Sequence, residues 1–189
     1  MHDISLYLLE VLENSVSAGA QAIAISLTID AAGDLLEIIV DDDGRGLVAP
    51  PADAVDPFYT TKSGKRTGLG LSLFKAEAEA AGGTLAIGPS PDLGGVRVHA
   101  TLQLSHVDRP PLGDLATTLL VTAATNPNID LRVSLSDDEA GIELHDARAA
   151  DALPALAAVS AGRAGWGADP ARPAPQEADS DGRAAEPAP

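Results

Sequence analysis

Ile23-Ala24-Ile25-Ser26-Leu27-Thr28-Ile29-Asp30, a turn at Ala31 to Asp34, then Leu36-Glu37-Ile38-Ile39-Val40-Asp41-Asp42-Asp43-Gly44-Arg45-Gly46: this stretch decides the fold. Aliphatic residues alternate at positions 23, 25, 27 and 29 and again at 36, 38 and 40. That period of two marks strands with one face against a core. The short turn between them makes an antiparallel pair, and the second strand runs directly into a charged glycine loop.

Upstream, Asp3 to Ser17 reads as a helix with Asp3 as N-cap. Ile4, Leu8, Val11 and Leu12 form its core face, and Asp3, Tyr7, Glu10, Asn14 and Ser17 form a second, polar line at the same spacing. Downstream, residues 56–70 hold Pro, Gly, Thr and Lys without periodicity and read as a long loop. Leu71 to Ala81 is helical, and Thr84 to Ile87 and Val96 to Leu104 are strands. Helix, two strands, loop, helix, two strands predicts an α/β (α+β) two-layer sandwich, with helices on one face of a mixed, mostly antiparallel sheet. Beyond Arg109-Pro110-Pro111 the pattern gives a helix over Leu112 to Ala124 and a hairpin, Ile129 to Leu135 and Gly141 to His145, around Asp137-Asp138. Residues 151–189 are rich in Ala, Pro, Asp and Glu and read as a disordered tail. The expected division is therefore 1–106, an extension over 107–150, and a tail over 151–189.

Composition narrows the function. Hydrophobic residues make up 45% of the 189 and aromatics only 3%, so the core is aliphatic. The absence of Cys excludes disulfides, thiolate zinc sites and cysteine nucleophiles. A net charge of −16 argues against non-specific nucleic-acid binding and against adhesion to anionic lipid. With neither a signal peptide at the N-terminus nor an apolar stretch of bilayer length, a cytoplasmic protein is expected, with no nucleic acid and no membrane among its partners.

Two glycine loops carry the chemistry. Gly44-Arg45-Gly46-Leu47-Val48-Ala49 fits a dinucleotide fingerprint, but Pro50 and Pro51 forbid the helix that this fingerprint must open. Gly64-Lys65 is followed by Arg66, so no P-loop is present. Thr67-Gly68-Leu69-Gly70 lies just before a helix, where bare backbone and unpaired N–H groups suit a polyphosphate. Lys62, Lys65 and Arg66 supply positive charge in the same loop. Glu10 and Asn14 stand four apart and hence side by side on the first helix. An amide oxygen is a fitting Mg²⁺ ligand, and a carboxylate one turn away can orient or deprotonate a water.

In order, the chain shows Glu10-Val11-Leu12-Glu13-Asn14-Ser15, Asp42-Asp43-Gly44-Arg45-Gly46, Asp56-Pro57-Phe58-Tyr59-Thr60-Thr61-Lys62 and Thr67-Gly68-Leu69-Gly70-Leu71-Ser72. Over about Asp3 to Leu104 this resembles the N, G1, F and G2 boxes of the GHKL ATPases. That group contains DNA gyrase, heat-shock chaperones, histidine kinases and mismatch-repair ATPases. The resemblance implies a Bergerat-type fold binding ATP and Mg²⁺. By it, Asn14 coordinates the metal and Asp42 accepts a hydrogen bond from the adenine amino group. Gly44 and Gly46 let the chain bend beneath the base. Lys62, Gly68, Leu69 and Gly70 meet the phosphates under a lid from Phe58 to Thr67. Glu10 matches the water-activating position of the gyrase and mismatch-repair branch, whereas the short lid and Gly82-Gly83 are most similar to histidine kinases. The family's Gly-Thr pair near the last strand is replaced by Gly95-Val96, which removes a hydroxyl contact to adenine. Ser17 stands where mismatch-repair relatives have Asp.

Ser105-His106-Val107-Asp108-Arg109-Pro110-Pro111-Leu112 is similar to a kinase H box at His106, Arg109, Pro111 and Leu112, which makes His106 a candidate phosphoacceptor. It departs from that pattern at Val107 and Pro110, and it follows the ATPase boxes instead of preceding them. The resemblance implies a stand-alone histidine-kinase-like catalytic module that transfers phosphate to a protein partner, with a homodimer as a further option. The alternatives are an ATP-controlled interaction switch and a slow ATPase acting through Glu10. Stand-alone proteins resembling this chain, including Arg109-Pro110-Pro111-Leu112-Gly113-Asp114, are associated with iron-hydrogenase and NADH-oxidoreductase systems.

Overall fold

The computed structural model describes residues 3–47 and 69–162. Its elements are α1 (Ile4–Ser17), β1 (Ala22–Asp30), β2 (Leu35–Asp42), α2 (Leu69–Ala80), β3 (Thr84–Pro89), β4 (Val96–Gln103), α3 (Leu115–Thr125), β5 (Asp130–Asp137), β6 (Ile142–Arg148) and α4 (Ala149–Gly162). The six strands form one sheet in the order β3-β4-β2-β1-β5-β6. Every neighbouring pair is antiparallel except β1 and β5.

The alternation read from the sequence becomes a continuous apolar face. Leu85, Ala100, Ile38, Leu27 and Leu135 face one another strand by strand across five strands, and all are buried. Val98, Val40, Ile25 and Val133 make a second buried row. Intervening residues, among them Ser26, Glu37, His99, Thr101 and Ser134, are only half-buried on the other face, as period-two geometry requires.

The helices cover the apolar face. Asp3 caps α1 by accepting from the Leu6 N–H at 2.9 Å. Ile4, Leu8, Val11 and Leu12 are buried as expected. Tyr7 departs from the polar line assigned to it: it is 3% exposed and stacks on Phe74 of α2, with ring centroids 4.9 Å apart and planes 3° from parallel. Its apolar ring outweighs its hydroxyl once a second aromatic is available to cover it.

Beyond residue 106 two expectations need correction. Residues 107–150 hold a helix and a hairpin, and β5 pairs with β1 and so extends the same sheet. The third helix begins at Leu115, not Leu112: the Asp114 carboxylate caps it by accepting from the Thr117 N–H at 2.9 Å. Residues from 151 do not begin a disordered tail, because α4 runs to Gly162 with Ala149, Ala152, Leu156 and Val159 buried. Those positions recur at helical spacing, and the high helix propensity of Ala prevails over Pro154 inside the helix. The remainder of the expected tail, residues 163–189, lies outside the described residues.

Candidate nucleotide-binding site

Each of the three acidic residues at the end of β2 is held by different partners. Asp41 faces the open side of the sheet, where Arg97 grips it with Nε at 2.8 Å and Nη2 at 2.7 Å and also reaches Asp92 at 2.6 Å. These bonds to Asp41 are the main reason the Arg97 guanidinium binds its proton more tightly than usual. Asp43 anchors the loop to the start of β1, accepting from the N–H groups of Gln21 and Ala22 at 2.7 and 2.9 Å.

Asp42, between them, points to the helix side and is 4% exposed. Its Oδ1 accepts from Gly44 N–H and Val96 N–H, both at 3.0 Å. Its Oδ2 accepts from the Ser15 hydroxyl at 2.6 Å. The Gly95 N–H donates to the Asp42 carbonyl at 2.9 Å. Gly95-Val96 therefore lies against Asp42, where the departure from Gly-Thr was placed. A carboxylate has about four lone-pair sites, and three are occupied by protein donors. Among the described residues no donor takes the fourth position, on Oδ2.

Glycines allow the close approaches. A methyl on Gly44 would meet the Ala18 methyl at 2.8 Å, so the loop lies flat on the end of α1. Gly46 adopts a φ of +78°, which side-chain-bearing residues rarely tolerate. A methyl on Gly70 would meet Glu10 at Oε2 (2.9 Å) and Cβ (3.1 Å), so the first turn of α2 rests on that part of α1. Glu10 itself is exposed, and Asn14 is half-buried. The Asn14 side chain makes no hydrogen bond to another described residue, which leaves its amide oxygen available as a hard-cation donor.

The fold thus sets Asp42 and Gly44 against the C-terminal end of α1, at Ser15 and Ala18, and Gly70 against its middle, at Glu10, with Asn14 on the helix between. Residues 2–106 match the family described as Histidine kinase-, DNA gyrase B-, and HSP90-like ATPase. The chain belongs to this family. Over 81 residues it is 37% identical to the sensor histidine kinase ZraS of Escherichia coli K12, and 36% identical to ZraS of E. coli O157:H7. Those matches cover 42% of this chain but only 17% and 18% of the two kinases, so it spans under a fifth of their length. Among solved structures it is similar to the ATP binding domain of PrrB from Mycobacterium tuberculosis, at 30% identity and a TM-score of 0.39, covering 52% of this chain and 66% of that one. The mycobacterial sensor histidine kinase MprB matches at 25% identity and a TM-score of 0.38, over 51% of this chain and 66% of that chain. No helix among the described residues of this ATPase-family chain is long and apolar enough to cross a membrane.

Lys62, Gly68 and the Phe58–Thr67 lid fall outside the described residues, and of Leu69 only the backbone, in α2, is described. His106 lies beside Gly82, past the C-terminal end of α2, where its Nδ1 accepts from the Asp108 N–H at 3.2 Å. At 1.5 Å per helical residue, Ala80 is about 15 Å along α2 from Gly70, and His106 lies beyond that end, so the fold does not bring it to the site.

The segment after His106 has a structural use that its H-box likeness does not suggest. Arg109 is buried, its Nε donating to the Leu104 carbonyl at 2.7 Å and its Nη1 to the Pro110 carbonyl at 2.8 Å. The carbonyls of Pro111 and Leu112 then accept from the Ile4 and Ser5 N–H groups at 2.9 and 3.0 Å. Those are donors that the first turn of a helix cannot satisfy internally. Arg-Pro-Pro-Leu is thus a clamp on the start of α1, the helix that carries Glu10 and Asn14.

Sequence reasoning assigned no role to Ser15. Its place one turn beyond Val11 and Leu12, on the buried face, was the available signal.

Proposed function

We propose that the protein binds ATP with Mg²⁺ and passes the γ-phosphate to a partner protein, as a histidine-kinase-like catalytic module. The observation that carries the reading is the buried Asp42 carboxylate, held by three neutral donors with one acceptor position left over. That position suits an exocyclic amine, and the acceptor-only carboxylate repels a carbonyl oxygen there. The first turn of α2 offers N–H groups and a favourable dipole to the phosphates. Asn14 would hold the metal, with phosphate oxygens and water completing its shell, and Mg²⁺ would neutralise charge on the phosphates when bound.

His106 lies at the wrong end of α2 to receive phosphate within its own chain, which favours another protein as recipient. The test is incubation with γ-labelled ATP and candidate partners. Label on a partner, undiminished by His106→Gln, is expected; label confined to the protein itself and lost in His106→Gln would contradict the assignment.

A second reading is slow hydrolysis, with Glu10 orienting water. The closeness of Glu10 to Gly70, where an added methyl would meet the carboxylate at 2.9 Å, favours it, since it brings a carboxylate beside the expected phosphate end. Phosphate release that disappears in Glu10→Ala while ATP still binds would support that branch.

A further inference from the structure

We propose that Ser15 is the positioning residue that sets the base preference of this site, in place of the hydroxyl missing at Val96. The proposal rests on the nucleotide reading above, since it concerns how Asp42 meets the base.

The geometry commits the Ser15 proton. Its Oγ lies 2.6 Å from Asp42 Oδ2, the short range of a hydroxyl–carboxylate bond, whereas its alternative acceptor, the Val11 carbonyl, is at 3.4 Å. Both atoms lie in a buried setting, with Ser15 3% and Asp42 4% exposed. Oδ1 is already filled by two backbone N–H groups, so the carboxylate cannot rotate without abandoning them. Ser15 takes one of the two lone pairs on Oδ2 and leaves the other in a single direction. Because its proton is spent on Asp42, the Ser15 oxygen also presents only lone pairs to a ligand. The wall offered to the base is therefore acceptor-only on two adjacent atoms, matched to an amino group and hostile to a keto oxygen. Without the hydroxyl, Oδ2 has two open lone pairs, water competes for both, and the amino group loses its directional advantage.

The test compares ATP with purine riboside triphosphate, which carries hydrogen where adenine carries its amino group. Each is titrated calorimetrically, with magnesium, into the wild type and into Ser15→Ala and Ser15→Cys. The wild type is expected to prefer ATP by about tenfold or more, the scale of one hydrogen bond to a charged acceptor. Ser15→Ala should bring that preference down to about two- to threefold by weakening ATP alone, with purine riboside triphosphate binding unchanged. Ser15→Cys keeps a side chain of similar size with a weak donor, and should show the same loss if the alanine variant fails to fold. Equal weakening of both ligands marks Ser15 as merely structural and overturns the proposal, as does a ratio unchanged in both variants. A wild type that binds neither triphosphate overturns the nucleotide reading and this inference with it.

Discussion

Replacing Asp42 by Asn separates folding from binding at a single atom. The amide oxygen of the variant can occupy the Oδ1 place and keep the N–H groups of Gly44 and Val96, now at 3.0 Å each. The amide NH₂ then stands where Oδ2 accepted from Ser15. Ser15 adapts by turning its proton toward the Val11 carbonyl at 3.4 Å and accepting from the new NH₂. Every polar group remains paired, and the expected stability cost is about 1 kcal/mol, the exchange of a charge-assisted bond for a neutral one. That corresponds to a fall of roughly 2–4 °C in thermal midpoint for a domain of this size. Binding fares differently, because the open position becomes a donor facing a donor. One bond to a charged acceptor is lost, at about 1.5–3 kcal/mol, and an unsatisfied donor is buried against the base, at about 1–3 kcal/mol. The sum, about 2.5 kcal/mol at the least, is a loss of roughly seventyfold or more in ATP affinity. Differential scanning calorimetry and titration calorimetry on the same preparation read the two effects. An Asp42→Asn protein that binds ATP within about tenfold of wild type refutes the assignment of Asp42 to the base.

Other perturbations report on the supports of the site. In Gly95→Ala the new methyl would overlap Asp42 Oδ1 and meet the Asp42 carbonyl oxygen at 2.5 Å and the Gly44 nitrogen at 2.6 Å; about 1–3 kcal/mol of destabilisation by urea titration is expected, with weakened ATP binding. Arg109→Leu strips the buried carbonyls of Leu104 and Pro110 of their donor; a loss of about 2–3 kcal/mol is expected, and unchanged stability would show that the clamp on α1 is dispensable. Burial of Tyr7, aided by Glu77 and Asp3, pushes its hydroxyl up to about 12 from the ordinary 10. The folded state therefore holds this proton more tightly than the unfolded chain. The resulting stability is complete below pH 10 and is lost as pH rises from 10 to about 12. Denaturation midpoints at pH 9 and 11.5 should fall less in Tyr7→Phe than in wild type.

What the sequence disclosed was local. Alternation at Ile23 to Ile29 and Leu36 to Val40 gave two strands in register, because one face of each must be apolar whatever else the chain does. The expectation for Asp42, Gly44 and Gly70 came from the likeness of their boxes to the GHKL ATPases; the fold sets the first two at the end of β2 and the third in the first turn of α2. What escaped was set by distant partners. Tyr7 reads as polar until Phe74, on another helix, covers it. Ser15 reads as a small helix residue until Asp42 arrives from the end of β2. Arg109 to Leu112 read as a motif, although Arg109 holds the Leu104 and Pro110 carbonyls and the carbonyls of Pro111 and Leu112 satisfy N–H groups at the start of α1. The fourth helix was obscured by composition: Ala and Pro are common in disordered segments, and only the spacing of Ala149, Ala152, Leu156 and Val159 distinguishes it.

The most direct test of the account is a calorimetric titration of the wild-type protein with ATP in the presence of magnesium. A single saturable site is expected, abolished in Asp42→Asn and in Asn14→Ala without unfolding. A flat titration with every adenine nucleotide, from a protein that melts cooperatively, would contradict the account at its centre.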